Sequence, residues 1–153
     1  MTRMIPVLLI ACMLAAPSTH ADEVKPRGGR SFVKGPVPAE VLRILDGDTL
    51  LVDAMPWPDQ HVRVAVRLRG VDAPEMKAKC PAEREAAHAA RAALVDLAGE
   101  SGVVALHNVS GGKYFGRVLA DVVTPAGINV GLELKARGLA VDYDGGRRKP
   151  LLC

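Results

Sequence analysis

The sequence predicts an α+β fold, mainly β: a five-stranded OB-fold barrel carrying two helices. Three observations predict it. The run HVRVAVRLRG at 61–70 alternates with a period of two. Val62, Val64, Val66 and Leu68 fall on one face, and His61, Arg63, Ala65, Arg67 and Arg69 on the other, as in a strand buried on one side. Two stretches read as helices: 81–99, with an apolar stripe at helical spacing, and 129–138, with a cap at one end and a glycine stop at the other. The order is then three strands, a helix, two strands and a second helix, that of an OB barrel with helical additions. Small mixed α+β folds of other topology give the same string, and order alone does not separate them.

The chain starts with a segment set apart from the fold. MTR supplies a short positive start, MIPVLLIACMLAAP an apolar run, and THA a small-residue pattern ending at Ala21. That is the layout of a cleavable signal peptide over residues 1–21. Pro6 and Pro17 leave too short a clean span for a membrane helix. Lipoprotein processing at Cys12 is disfavoured because more apolar residues, not a polar tether, follow it. A secreted or periplasmic protein without membrane attachment after cleavage is expected. Residues 22–38, rich in Pro and Gly, read as a polar linker, 39–146 as the folded domain, and 147–153, with Arg147, Arg148 and Lys149, as a basic tail.

Within the domain, EVLRIL leads into the pair Asp46-Gly47, expected to form a two-residue hairpin turn with positive φ, and TLLVDA leads out of it. PWPDQ reads as a loop before the alternating strand. Pro81 suits a first helical turn, and Glu83 and Glu85 lie near the positive end of the dipole. Ala86, Ala89, Ala90, Ala93, Leu94 and Leu97 form the apolar stripe. VVALHNV and, past a glycine-rich bend, GRVLADVV supply two more strands. Asn129 caps the second helix and Gly138 stops it. With one Trp, two Tyr and two Phe, the core must be built from Val, Leu, Ile and Ala.

Composition bounds the chemistry. The formal net charge is +3, and about +2 once Arg3 leaves with the signal, so affinity for nucleic acid depends on where the charges sit. Cys80 and Cys153 remain. In an oxidising compartment they read as a disulfide, worth at most ~4 kcal/mol for a closure of roughly 70 residues; two unpaired thiols are the alternative. His61, His88 and His107 are scattered without metal-ligand spacing, which excludes a zinc site of the usual kind. Cys80 has no evident base partner, which argues against a cysteine nucleophile.

Three stretches gather charge. In RILDGDTLLV a second aspartate, Asp48, follows the turn glycine. VRLRGVDAPE places Arg67, Asp72 and Glu75 within nine residues. In KYFGRVLADV, Arg117 opens a strand directly after Gly116. A solvated basic strand face is the ordinary reading for Arg63 and Arg69, less so for Arg67. Together with RGLAVDY, these segments resemble, in order and spacing, the four signature segments of the thermonuclease (staphylococcal nuclease-like) family, over about residues 41–143.

The resemblance implies a Ca²⁺ site, with Asp48 and Asp72 as carboxylate ligands and the backbone carbonyl of Ala73 as a third. Waters and a phosphate oxygen would complete a shell of about six to eight oxygens. Asp46 is expected behind the ligands, not among them. The resemblance also implies Glu75 as general base toward an attacking water, and Arg67 and Arg117 as bidentate partners of the phosphodiester. Lys113 and Tyr114 match residues that contact a terminal phosphate. KYFGR is one residue longer than the family's KYGR, so Tyr114 and Phe115 compete for one place. Tyr143 matches an aromatic that stacks on a base. The chain stops about ten residues beyond Tyr143, where the best-known member carries a long final helix.

The function expected is a secreted Ca²⁺-dependent nuclease, a monomer acting on DNA and RNA with little sequence preference and best on single-stranded or breathing duplex substrate. The alternative is a nucleic-acid-binding module on the same fold that has lost catalysis. Two features weigh against it: Asp48, Arg67, Asp72, Glu75 and Arg117 are all present, and aromatic residues are few.

Overall fold

In the computed structural model, which describes residues 32–146 and 152–153, ten elements follow one another. They are β1 (Phe32–Val33), β2 (Val37–Asp46), β3 (Thr49–Trp57), β4 (Gln60–Leu68), β5 (Val71–Asp72), α1 (Pro81–Ala98), β6 (Val103–Gly111), β7 (Arg117–Val123), α2 (Val130–Ala136) and β8 (Val141–Asp142). Strands β2, β3 and β4 form an antiparallel meander. β4 then pairs in parallel with β7, β7 runs antiparallel to β6, and β6 returns antiparallel to β2. This closes a five-stranded mixed barrel with two helices, the fold class the strand order predicts. Closure removes the sheet edges that an open meander would leave.

The apolar core of the barrel is aliphatic. Val41, Ile44, Leu50, Val52, Val66, Leu68, Leu106 and Val122 are buried inside it, and Leu94 of α1 and Leu134 of α2 complete the packing. Asn129 caps α2, its side chain accepting from the Leu132 amide at 3.1 Å, and Gly138 follows the helix with a φ of 71°. Among the described residues no helix is long and apolar enough to cross a membrane.

Several local expectations change. The sheet begins inside the stretch read as a linker: Phe32 and Val33 pair with Ser110 and Val109, and Val37 and Pro38 already belong to β2. Residues 1–31, with the expected signal peptide, and 147–151, with most of the basic tail, lie outside the described residues. PWPDQ is not a loop. β3 runs through Trp57, and a turn at Pro58–Asp59, with Asp59 at a φ of 58°, returns the chain into β4. Two prolines are tolerated there because the register slips between Ala54 and Trp57, so fewer ladder bonds are asked of that end.

The α1 stripe is rotated. Glu83, Ala87, Ala90, Leu94 and Ala98 are buried, whereas Ala89 is exposed. In so alanine-rich a helix several stripes satisfy the same spacing. Only contact with β2 and α2 selects one, and the selected one begins with a glutamate.

Candidate active site

The turn between β2 and β3 is made by Gly47 and Asp48, not by Asp46 and Gly47. Asp46 ends β2 and its Oδ1 accepts the Gly47 amide at 2.8 Å. Gly47 does not take the positive φ expected of it. It is required by space: a Cβ there would stand 2.8 Å from the Ala73 Cβ and 2.9 Å from the Ala90 Cβ. The turn is thus pressed against both the loop after β5 and helix α1. That approach carries Asp48 inward, where it is 0 % exposed.

Register brings the arginine to it. Thr49 lies opposite Arg67 in the β3–β4 pair, and the Leu68 amide donates to the Asp48 carbonyl at 2.9 Å. After β4, Gly70 turns the chain with a φ of 72°, a conformation that favours glycine. The next residues form β5, which pairs with β8 and sets Asp72 beside the same arginine. Arg67 donates from Nη1 to Asp48 Oδ2 at 2.5 Å and from Nη2 to Asp72 Oδ1 at 2.6 Å. A further bond runs from Nη2 to the Val71 carbonyl at 3.2 Å. Asp48 Oδ1 accepts the Thr49 hydroxyl at 2.7 Å, and its Oδ2 also accepts the Ala73 amide at 3.3 Å. Arg67 is 7 % and Asp72 4 % exposed. Two buried carboxylates thus share one buried guanidinium.

On its outer side Arg67 lines a cleft of about 400 Å³, together with Gly112, Lys113, Tyr114, Arg117, Leu119, Tyr143, Gly145 and Gly146. Parallel pairing of β4 with β7 sets Ala65 opposite Arg117 and Arg67 opposite Leu119. Arg117 therefore shares a sheet face with Arg67, one step along the diagonal. The Arg117 guanidinium lies 4.7 Å from the Tyr114 ring centroid, Lys113 Nζ 5.9 Å from the same ring, and the Arg67 guanidinium 5.4 Å from the Tyr143 ring. Tyr143 is held by its own amide on the Gly70 carbonyl at 3.0 Å and by its hydroxyl on the Gly146 carbonyl at 2.6 Å. Among the described residues no carboxylate pairs with Arg117, and its buried Nε has no hydrogen-bond partner. Of Tyr114 and Phe115, Tyr114 lines the cleft and Phe115 is fully exposed.

Glu75 lies in the loop between β5 and α1, its side chain exposed. Its amide donates to Glu83 Oε1 at 3.4 Å, and Glu83 Oε2 accepts the Leu152 amide at 2.8 Å. Next to these bonds Cys80 and Cys153 form a disulfide, with Cα atoms 6.5 Å apart across 73 positions. The chain end thus lies against the start of α1, through a carboxylate that is 2 % exposed.

The structure brings together Asp48, Arg67, Asp72 and Ala73 as one buried cluster. Arg67, Lys113, Tyr114, Arg117 and Tyr143 form the cleft wall. Thr49 and Glu83 are site residues that sequence reasoning missed. Thr49 follows Asp48 directly, and Glu83 opens the 83-87-90-94-98 spacing that α1 buries. Arg69 departs from the solvated reading. Its Nη2 reaches the Asn108 carbonyl at 2.5 Å, Ser110 Oγ at 2.7 Å and the Leu119 carbonyl at 3.1 Å, across the irregular register between β6 and β7.

A family model described as staphylococcal nuclease homologue matches residues 65–150, from within β4 to the chain's last few residues. The match takes in Arg67, Asp72, Glu75 and Arg117 and leaves Asp48 upstream of it. No curated protein matches the chain.

Proposed function

Because the chain belongs to the staphylococcal nuclease homologue family, whose model covers more than half of it, we propose that it is a secreted, Ca²⁺-dependent nuclease. It hydrolyses phosphodiester bonds of DNA and RNA with little sequence preference. One observation carries the reading: a single guanidinium, Arg67, belongs at once to a buried pair of carboxylates and to the wall of a cleft shared with Arg117.

The residues fit a hard cation. Asp48, Asp72 and the Ala73 carbonyl are oxygen donors of the kind a hard divalent ion takes. Among the described residues no three His, Cys, Asp or Glu side chains gather as a metal cage. Waters and the substrate phosphate would therefore supply the rest of the shell. When bound, such an ion supplies positive charge for the phosphate oxygens.

The chain's own groups do the remainder. Arg117, without a carboxylate partner among the described residues, is available to a phosphate, and Arg67 presents its guanidinium to the same cleft; planar forks suit the equatorial oxygens on which charge gathers in phosphoryl transfer. Exposed Glu75, its backbone held on Glu83, takes the proton of the attacking water. Contacts made to phosphate and not to base edges account for weak sequence preference.

The test is cleavage of single-stranded DNA by residues 22–153 with Ca²⁺, with Mg²⁺ and with chelator, beside Glu75→Gln. Calcium-dependent cutting that collapses in the variant is expected. Tight binding with no cleavage under any metal would instead make the protein a nucleic-acid-binding module. Cleavage unaffected by Glu75→Gln would move the catalytic centre elsewhere.

A further inference from the structure

We propose that Phe115 is a nucleobase-stacking residue at the rim of the cleft, holding the base beside the scissile phosphodiester and thereby favouring single-stranded over duplex substrate. The proposal rests on the nuclease reading above and names a specificity determinant for it.

Aromatic residues are scarce in this chain, one Trp, two Tyr and two Phe, and none is in the core. Yet Tyr114 and Tyr143 line one cleft, and Phe115 directly follows Tyr114 between two lining residues, Tyr114 and Arg117. Tyr114 and Tyr143 each already carry a guanidinium near the ring. Phe115 is different: it is 109 % exposed, more than in an extended chain, so the protein covers neither face of its ring.

The loop that carries it is short and closed at its base. The Gly112 amide donates to the Arg117 carbonyl at 3.0 Å, and the Arg117 amide to the Tyr114 carbonyl at 3.3 Å. Phe115 is therefore fixed two positions from the phosphate-facing Arg117, on the tip that Tyr114 joins to the cleft wall. A large apolar ring left wholly in water forgoes the burial that ordinarily places phenylalanine inside. No packing role accounts for it.

A base next to a phosphate held by Arg117 lies within reach of such a ring. Stacking tolerates any base, because each presents a π-face. A base inside an intact duplex has both faces occupied by its neighbours, so the contact is open to single strands and to breathing ends.

The experiment moves an abasic nucleotide stepwise through a single-stranded oligonucleotide, with the wild-type protein, Phe115→Ala and Phe115→Trp. In the wild type, one position near the cut should lower kcat/KM by about 5- to 150-fold, the range a single base–aromatic stack contributes. In Phe115→Ala that penalty should fall close to one, and in Phe115→Trp it should persist. An equal penalty in wild type and Phe115→Ala overturns the proposal.

A second arm stands apart from catalysis. Quenching of 2-aminopurine in the same oligonucleotide is followed with chelator present. Quenching by the wild type that Phe115→Ala abolishes supports stacking even if the protein cuts nothing. Quenching that is the same in both overturns it, as does a change from dimer to monomer in sedimentation of Phe115→Ala, which would make the ring a self-association contact.

Discussion

The Arg67 guanidinium pairs with two buried carboxylates, whereas the Glu75 side chain is exposed. Substitutions at the two should therefore part on stability while agreeing on rate. Arg67→Ala is expected to cost about 3–5 kcal/mol in urea unfolding and to slow cleavage by ~10²–10⁴. Glu75→Gln, at an exposed side chain, should change stability by less than about 0.5 kcal/mol while abolishing most activity. A stable, inactive Arg67→Ala protein would show that the carboxylates are satisfied without it.

At this scale the sequence was informative about residue types and poor about partners. Asp48 and Arg67 stand 19 positions apart, and nothing local says that one fork reaches Asp48 and the other Asp72. Only the Thr49–Arg67 register and the kink at Gly70 produce that arrangement. Arg69, two positions further on, reads the same in the sequence and instead braces β6 and β7.

Elements were legible where their periodicity was strict. The β4 strand, the Asn129 cap and the helical run of α1 follow from local chemistry, and the structure has them where they were expected, but the burial of β4 does not alternate: Val62 is exposed at one end, and Val66, Arg67 and Leu68 are all buried at the other, where the site covers both faces. What depended on a neighbour was not visible. The face of α1 is chosen by what it packs on, β1 depends on the partner strand β6, and Gly47 is dictated by Ala73 and Ala90, both distant in sequence.

Gly47→Ala places a methyl group inside the contact distance of two β-carbons, so the turn must retreat from α1 and from the loop after β5. A loss of about 1–3 kcal/mol is expected. Because Asp48 rides on that turn, weaker calcium binding should accompany it in titration calorimetry. A variant with unchanged calcium affinity would separate the turn from the ion.

For the whole molecule, barrel closure follows from the parallel β4–β7 pairing, which also assembles the site. The element order readable from the sequence thus carried the fold class, and the Cys80–Cys153 pairing expected there ties the chain end to the start of α1. Cys153→Ser should lower stability by up to ~4 kcal/mol in thermal or urea unfolding, and should do so only under oxidising conditions. Equal unfolding curves for wild type and variant without reductant would mean that the cross-link contributes nothing.

The same cross-link divides the site by topology. Asp48, Arg67, Asp72 and Glu75 precede Cys80, while Lys113, Tyr114, Phe115, Arg117 and Tyr143 lie between the two cysteines, within a closed covalent circuit. A single scission after Phe115, the most exposed aromatic of the rim, opens that circuit without releasing either part. Brief chymotrypsin treatment should therefore give a nicked protein that migrates as one band without thiol and as two with it. Two bands in the absence of thiol would mean that the circuit was never closed. The point of the rim most open to proteases is also one where a single cut leaves both parts of the site on the same molecule.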